Sequence, residues 1–100
     1  MLPLDIIFKT CEVFGLTYEE IIPTKPKEQQ GLMQVTCRQL CVYYICKYHP
    51  YLTLKVVSMF FNKDTHCFAL NARNAARDYI KTQDDLLYPY YLELNLIFNS

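Results

Sequence analysis

One hundred residues, 52% of them apolar and 20% charged, make a chain of single-domain size that can bury roughly two thirds of its unfolded surface without disulfides. That balance excludes a disordered tail; two glycines and five prolines argue against a turn-rich all-β fold, and no apolar run reaches the roughly eighteen residues of a membrane span. The formal net charge is zero, yet residues 22–77 carry Lys25, Lys27, Arg38, Lys47, Lys55, Lys63, Arg73 and Arg77 against only Glu28 and Asp64, a basic stretch between acidic ends that suits a basic working surface as well as chance segregation of solvated charge.

In chain order, Leu4, Ile7, Phe8, Cys11 and Phe14 recur at three and four, and predict a helix over 4–14 that Pro3 opens and Gly15 closes. Thr17 and Glu20 have the spacing of a capping box and predict a short helix over 18–22, which Pro23 stops. A polar loop with Lys25 and Lys27 follows. Residues 32–48 read as a helix that is apolar nearly all round, hence central and contacted from several sides. Thr53 caps a helix over 53–61, Asn62 tolerates the left-handed turn that ends it, and Asp64 caps a helix over 64–81. In that last helix Phe68, Ala69, Ala72, Ala75, Ala76, Tyr79 and Ile80 share one stripe, with His66, Asn71, Arg73, Asn74 and Arg77 largely off it. The tail YPYYLELNLIF fits either a strand or a helix. Pro89 near a helix start and the lack of a partner strand favour a helix over 89–98.

The expectation is an all-α single domain spanning 1–100, with about six helices and a helix-turn-helix formed by the 53–61 and 64–81 helices. In that motif the second helix enters the major groove with its first residues facing base edges. Thr65, His66 and Asn71 would read bases, while Lys55, Lys63 and Arg77 would hold phosphates; a plain packed corner of two helices gives the same pattern. Acidic Asp5 stands where a signal peptide needs basic residues, and five cysteines form an odd set. The reading is a cytoplasmic chain whose thiols are reduced and act as small buried hydrophobes.

The chain also resembles the C-terminal DNA-binding domain of the bacterial replication initiator DnaA, from about Ile6 onward. FGLTYEEII resembles the family's opening helix, aromatic-glycine turn and short acidic helix. A lysine-bearing loop follows, Arg38-Gln39-Leu40 resembles the start of its long central helix, and Leu54 through Phe61 its first motif helix. NKDTHCFAL stands against the family signature Gly-Gly-Arg-Asp-His-Thr-Thr-Val-Leu, and Pro89 has a counterpart. The resemblance implies a Trp-repressor/DnaA C-terminal-like fold and a double-stranded DNA partner in replication or transcription regulation. It gives Arg38 a minor-groove contact and His66 a major-groove contact, with Lys25, Lys27 and Asn62 added to the phosphate contacts. The family's acidic residue is displaced to Asp64 or replaced by Thr65, and its two threonines are Cys67 and Phe68 here. A Phe ring donates nothing to a base or phosphate. No Gly-x-x-x-x-Gly-Lys-Ser/Thr loop occurs, so the sequence offers no ATP site.

Three rival readings stand beside it. Cys37, Cys41, Cys46, His49, His66 and Cys67 suggest a zinc site, but lack the paired short Cys-x-x-Cys knuckles. Cys67 or Cys46 as a Cys-His hydrolase nucleophile lacks any sign of an oxyanion hole or orienting group. The expectation is therefore no enzyme, no metal and no cofactor. Nine tyrosines and an apolar tail support a protein-interaction module on the same scaffold, by self-association or with another protein, although packing within a helical core explains tyrosines equally.

Overall fold

The computed structural model describes residues 1–23 and 31–99. Among them it has six helices and no strand: α1 (Pro3–Phe14), α2 (Tyr18–Ile21), α3 (Leu32–Tyr48), α4 (Leu54–Met59), α5 (His66–Lys81) and α6 (Leu87–Phe98). The all-α architecture expected from the periodicities is present, and the ambiguous tail is helical.

Local chemistry accounts for most of the boundaries. Pro3 opens α1, where the Leu2 amide donates to the Asp5 carboxylate at 3.1 Å. Thr17 and Glu20 form the capping box on α2: the Glu20 amide donates to Thr17 Oγ1 at 3.2 Å and the Thr17 amide to Glu20 Oε1 at 2.9 Å. Thr53 Oγ1 accepts from the Val56 amide at 3.2 Å and caps α4. At the start of α5 the expectation fails, since the N-cap is Thr65 rather than Asp64, and its side chain makes no capping bond.

Three helices stop in the same way. Gly15, Asn62 and Gln83 have φ of 69°, 58° and 55°, and after each the chain folds back on the helix it has just left. Leu16 donates to the Cys11 carbonyl, Lys63 to that of Ser58 and Asp84 to that of Tyr79, at 2.9, 3.2 and 2.9 Å. These six-to-one bonds, each accompanied by a 3.2 Å bond from the preceding residue's amide to the carbonyl three residues back, satisfy carbonyls the helix leaves open. The third turn delivers Asp84, whose carboxylate accepts from the Leu86 and Leu87 amides at 3.1 and 3.0 Å. This cap, rather than Pro89, starts α6, two residues earlier than the sequence suggests.

Helix α3 is the centre, as its all-round apolar pattern requires: it packs on α1, α2, α4 and α5, with Cys37, Leu40, Cys41, Val42, Tyr44 and Ile45 fully buried. Small side chains on α5 let it approach closely, since Ala69 and Ala76 are fully buried and Ala72 nearly so. Tyr79, expected on that stripe, is exposed. Helix α6 is held to α3 by rings and hydroxyls. Tyr44 Oη bonds to Asn95 Oδ1 at 2.8 Å and to the Tyr91 carbonyl at 3.0 Å, and its ring meets Phe98 edge-on with centroids 4.8 Å apart. Stacking of Phe14 on Tyr90 at 4.0 Å joins α1 to the same layer. Such pairs add directional energy to the area they bury.

Candidate nucleic-acid interface

The polar corner between α4 and α5 is built on an apolar underside. Phe61 is fully buried and Phe68 packs against it with centroids 5.6 Å apart, which makes Phe68 a core side chain. Ser58, inside an apolar run, is fully buried; its hydroxyl donates to the Leu54 carbonyl at 2.9 Å and accepts from the Ala69 amide at 3.0 Å. One oxygen thereby links α4 to the first turn of α5. From the other side the Tyr18 hydroxyl donates to the Phe60 carbonyl. The left-handed Asn62 then turns the chain, so the path from α4 to α5 is held at three points.

On this base the outer side chains are turned to solvent. Asn62, Lys63, Asp64, Thr65, His66 and Cys67 are all exposed in a row, as are Asn71 and Asn74 along α5 and Lys55 on α4. Among the described residues the one ion pair is Lys9–Glu12 at 3.5 Å, so none of their carboxylates is paired with Lys55 or Lys63. A groove of about 340 Å³ between the starts of α3 and α5 brings together Arg38, Gln39, Lys63, Phe68 and Asn71, with Pro23 at its edge. Lys25 and Lys27 lie outside the described residues.

Two expected contacts are placed differently: Arg38 borders this groove but is buried, and Arg77 lies off it. Arg38 is only 7% exposed. Its Nε donates to the Ile21 carbonyl at 2.7 Å, and its guanidinium carbon lies 6.0 Å from the centre of the Phe68 ring, at the edge of useful cation–π range. Burial lowers its pKa, but a guanidinium stays charged in proteins and needs such acceptors. A minor-groove arm has to leave the protein surface, and this side chain is instead held in a fixed place between α2, α3 and α5. Arg77 is exposed but borders a different cavity, with Tyr43, Cys46, Lys47 and Arg73. Lys47 and Arg73 were not singled out from the sequence; the available signal was the one-turn spacing of Arg73 and Arg77.

The zinc set imagined from the sequence is not assembled. The group among the described residues that could hold a metal is Cys11, Cys37 and Cys41, whose Sγ atoms lie within 4.8 Å of one another, all buried. Burial, with the neighbouring thiols, raises the Cys41 pKa, whereas hydrogen bonds from Cys37 and Cys41 lower that of Cys11, and the core role rests on the burial of all three. Cys67 is exposed and Cys46 half-buried, so the expectation of five buried thiols holds for three. The tyrosines mostly serve the interior, with Tyr51 and Tyr79 the exposed ones. Among the described residues no helix is long and apolar enough to cross a membrane.

Comparison with protein-family models, with curated proteins and with solved structures finds no match to this chain.

Proposed function

We propose that this chain is a non-catalytic duplex DNA-binding module in which α4 and α5 act as a helix-turn-helix, similar to the C-terminal domain of the DnaA initiator. One observation carries the reading: the first turn of α5 and the turn before it expose Asn62, Lys63, Thr65 and His66 together, on a corner that Ser58 and Tyr18 hold from inside. That row also holds exposed Asp64, but Lys63 forms no ion pair with it, so the lysine, the histidine and the amide and hydroxyl side chains remain available to a ligand. In this reading Thr65, His66 and Asn71 face base edges, and Lys55, Lys63 and Asn62 face phosphates. Arg38 supports α5 from behind, through the Ile21 carbonyl and the Phe68 ring.

The rival reading is a protein-interaction module: Tyr43, Tyr44, Tyr48 and Tyr91 are engaged between α3 and α6, while Leu92 and Leu96 of the apolar tail are exposed and remain its support. Duplex binding measured in a salt series separates the two. With about four to five cations displacing counterions, log affinity should fall against log salt with a slope of roughly −4. A flat response, or no binding in low salt, would end the duplex reading. Single strands should bind less well, since the exposed aromatics Phe8, Tyr51 and Tyr79 do not line the groove beside Lys63 and Asn71.

A further inference from the structure

We propose that the second cavity between α3 and α5, lined by Tyr43, Cys46, Lys47, Arg73 and Arg77, is a binding site for a phosphate-type oxyanion. It shares no lining residue with the Arg38–Asn71 groove. On α5, Ala72 and Ala76 are buried, and the helical period then puts Arg73 and Arg77 together on one flank and Asn71 and Ala75 on the other. Lys47 comes from the last turn of α3.

Three features favour an anion there. First, the cavity, about 210 Å³, is bordered by three cationic side chains and no carboxylate, so its resting state has like charges facing one another without compensation. Second, Arg73 Nε is buried and has no hydrogen-bond partner. A buried donor left unpaired is costly and rare, and an acceptor entering the cavity is the simplest remedy. Third, the remaining wall supplies no anion of its own. Burial raises the Cys46 pKa against the opposing pull of Arg73 and Arg77, and burial together with Tyr91 raises that of Tyr43. Cys46 therefore stays a thiol and Tyr43 a neutral hydroxyl able to donate. Arginine forks suit the planar oxygen pairs of phosphate better than a spherical halide.

Phosphate chemistry has two sources here, a free phosphate group or one in a nucleic-acid backbone, and only the second rests on the proposed function. The test is thermal melting of the whole protein with inorganic phosphate replacing chloride at constant ionic strength, so that general screening is unchanged. Saturating phosphate should raise the Tm by about 5 °C. Arg73→Gln and, on the other helix, Lys47→Gln should remove that rise. Equal Tm in phosphate and chloride for the native protein overturns the proposal and leaves the Arg73 donor to water. A rise that survives both substitutions also overturns it, by placing the anion elsewhere. If duplex affinity also drops in the Arg73→Gln variant, with a salt slope about one unit smaller, the bound group is a backbone phosphate. Unchanged duplex binding beside a lost phosphate response assigns a free one.

Discussion

The α3–α6 layer and the α4–α5 corner use polar side chains in opposite ways. In the layer, polar groups turn inward to one another. Tyr44, fully buried, bonds to Asn95 and the Tyr91 carbonyl and sets its ring against those of Tyr91 and Phe98. At the corner, only Ser58 and the backbone turn inward, while Lys55, Lys63, Thr65, His66 and Asn71 are left to solvent. Polar groups that complete one another inside a fold stabilise it and are closed to ligands. Those left open on a rigid base cost the fold little and remain available. The comparison therefore separates residues whose loss should unfold the protein from residues whose loss should change what it binds.

The largest break in that separation would come from Tyr44. Replacing it by alanine should cost about 3–5 kcal/mol of stability, read as a lower denaturant midpoint, because it empties the centre of the aromatic layer. Arg38→Ala should cost about 2–3 kcal/mol, since the Ile21 carbonyl loses a charged donor inside the protein. Binding in conditions where the variant is folded should stay close to native. A fully stable Arg38→Ala protein with weakened binding to A·T-rich duplexes would restore the minor-groove role that its burial argues against. Ser58→Ala should cost about 1 kcal/mol and belongs to both regions, because it also frees α5 to tilt against α4. Its duplex affinity should therefore drop even though Ser58 is buried and touches no DNA. Lys55→Ala and Lys63→Ala define the other end, with stability within about 0.5 kcal/mol of native and a salt slope reduced by about one for every duplex alike. A loss of stability in either lysine variant would move that residue into the structural class.

The features readable from the sequence were those fixed within a few residues of chain. Gly15, the Thr17–Glu20 box, the Thr53 cap and left-handed Asn62 each depend on partners within about one helical turn, and all four are found where the spacing put them. Asp64 was read as the N-cap of α5, but Thr65 occupies that position without a capping bond, because the turn through Asn62 sets where the helix starts. Asp84, three residues before α6, was overshadowed by Pro89. What the sequence hid depends on contacts far apart in the chain. Arg38 meets a carbonyl 17 residues away, Ser58 an amide 11 away and Tyr44 a side chain 51 away. Cys11 joins Cys37 and Cys41 only once α1 lies on α3. Of the candidate site, exposure of the Asn62–His66 row followed from the loss of apolar pattern after Phe61. The separation of Arg77 from Lys63 and Asn71 did not, because helical spacing gives the flank of α5 but not the neighbour that flank meets.

His66 tests the central claim most directly, because it is exposed at the first position of α5 and has little to do for the fold. The measurement is selection of bound sequences from random duplex DNA by the native protein and by His66→Ala, with the melting temperature of both proteins recorded. The account predicts an enriched sequence for the native protein. In the variant, preference should be relaxed at one or two base positions, corresponding to about 1–3 kcal/mol of lost discrimination, with the melting temperature almost unchanged. A variant that melts lower while selecting the same sequence would contradict the account, as would a native protein that selects none.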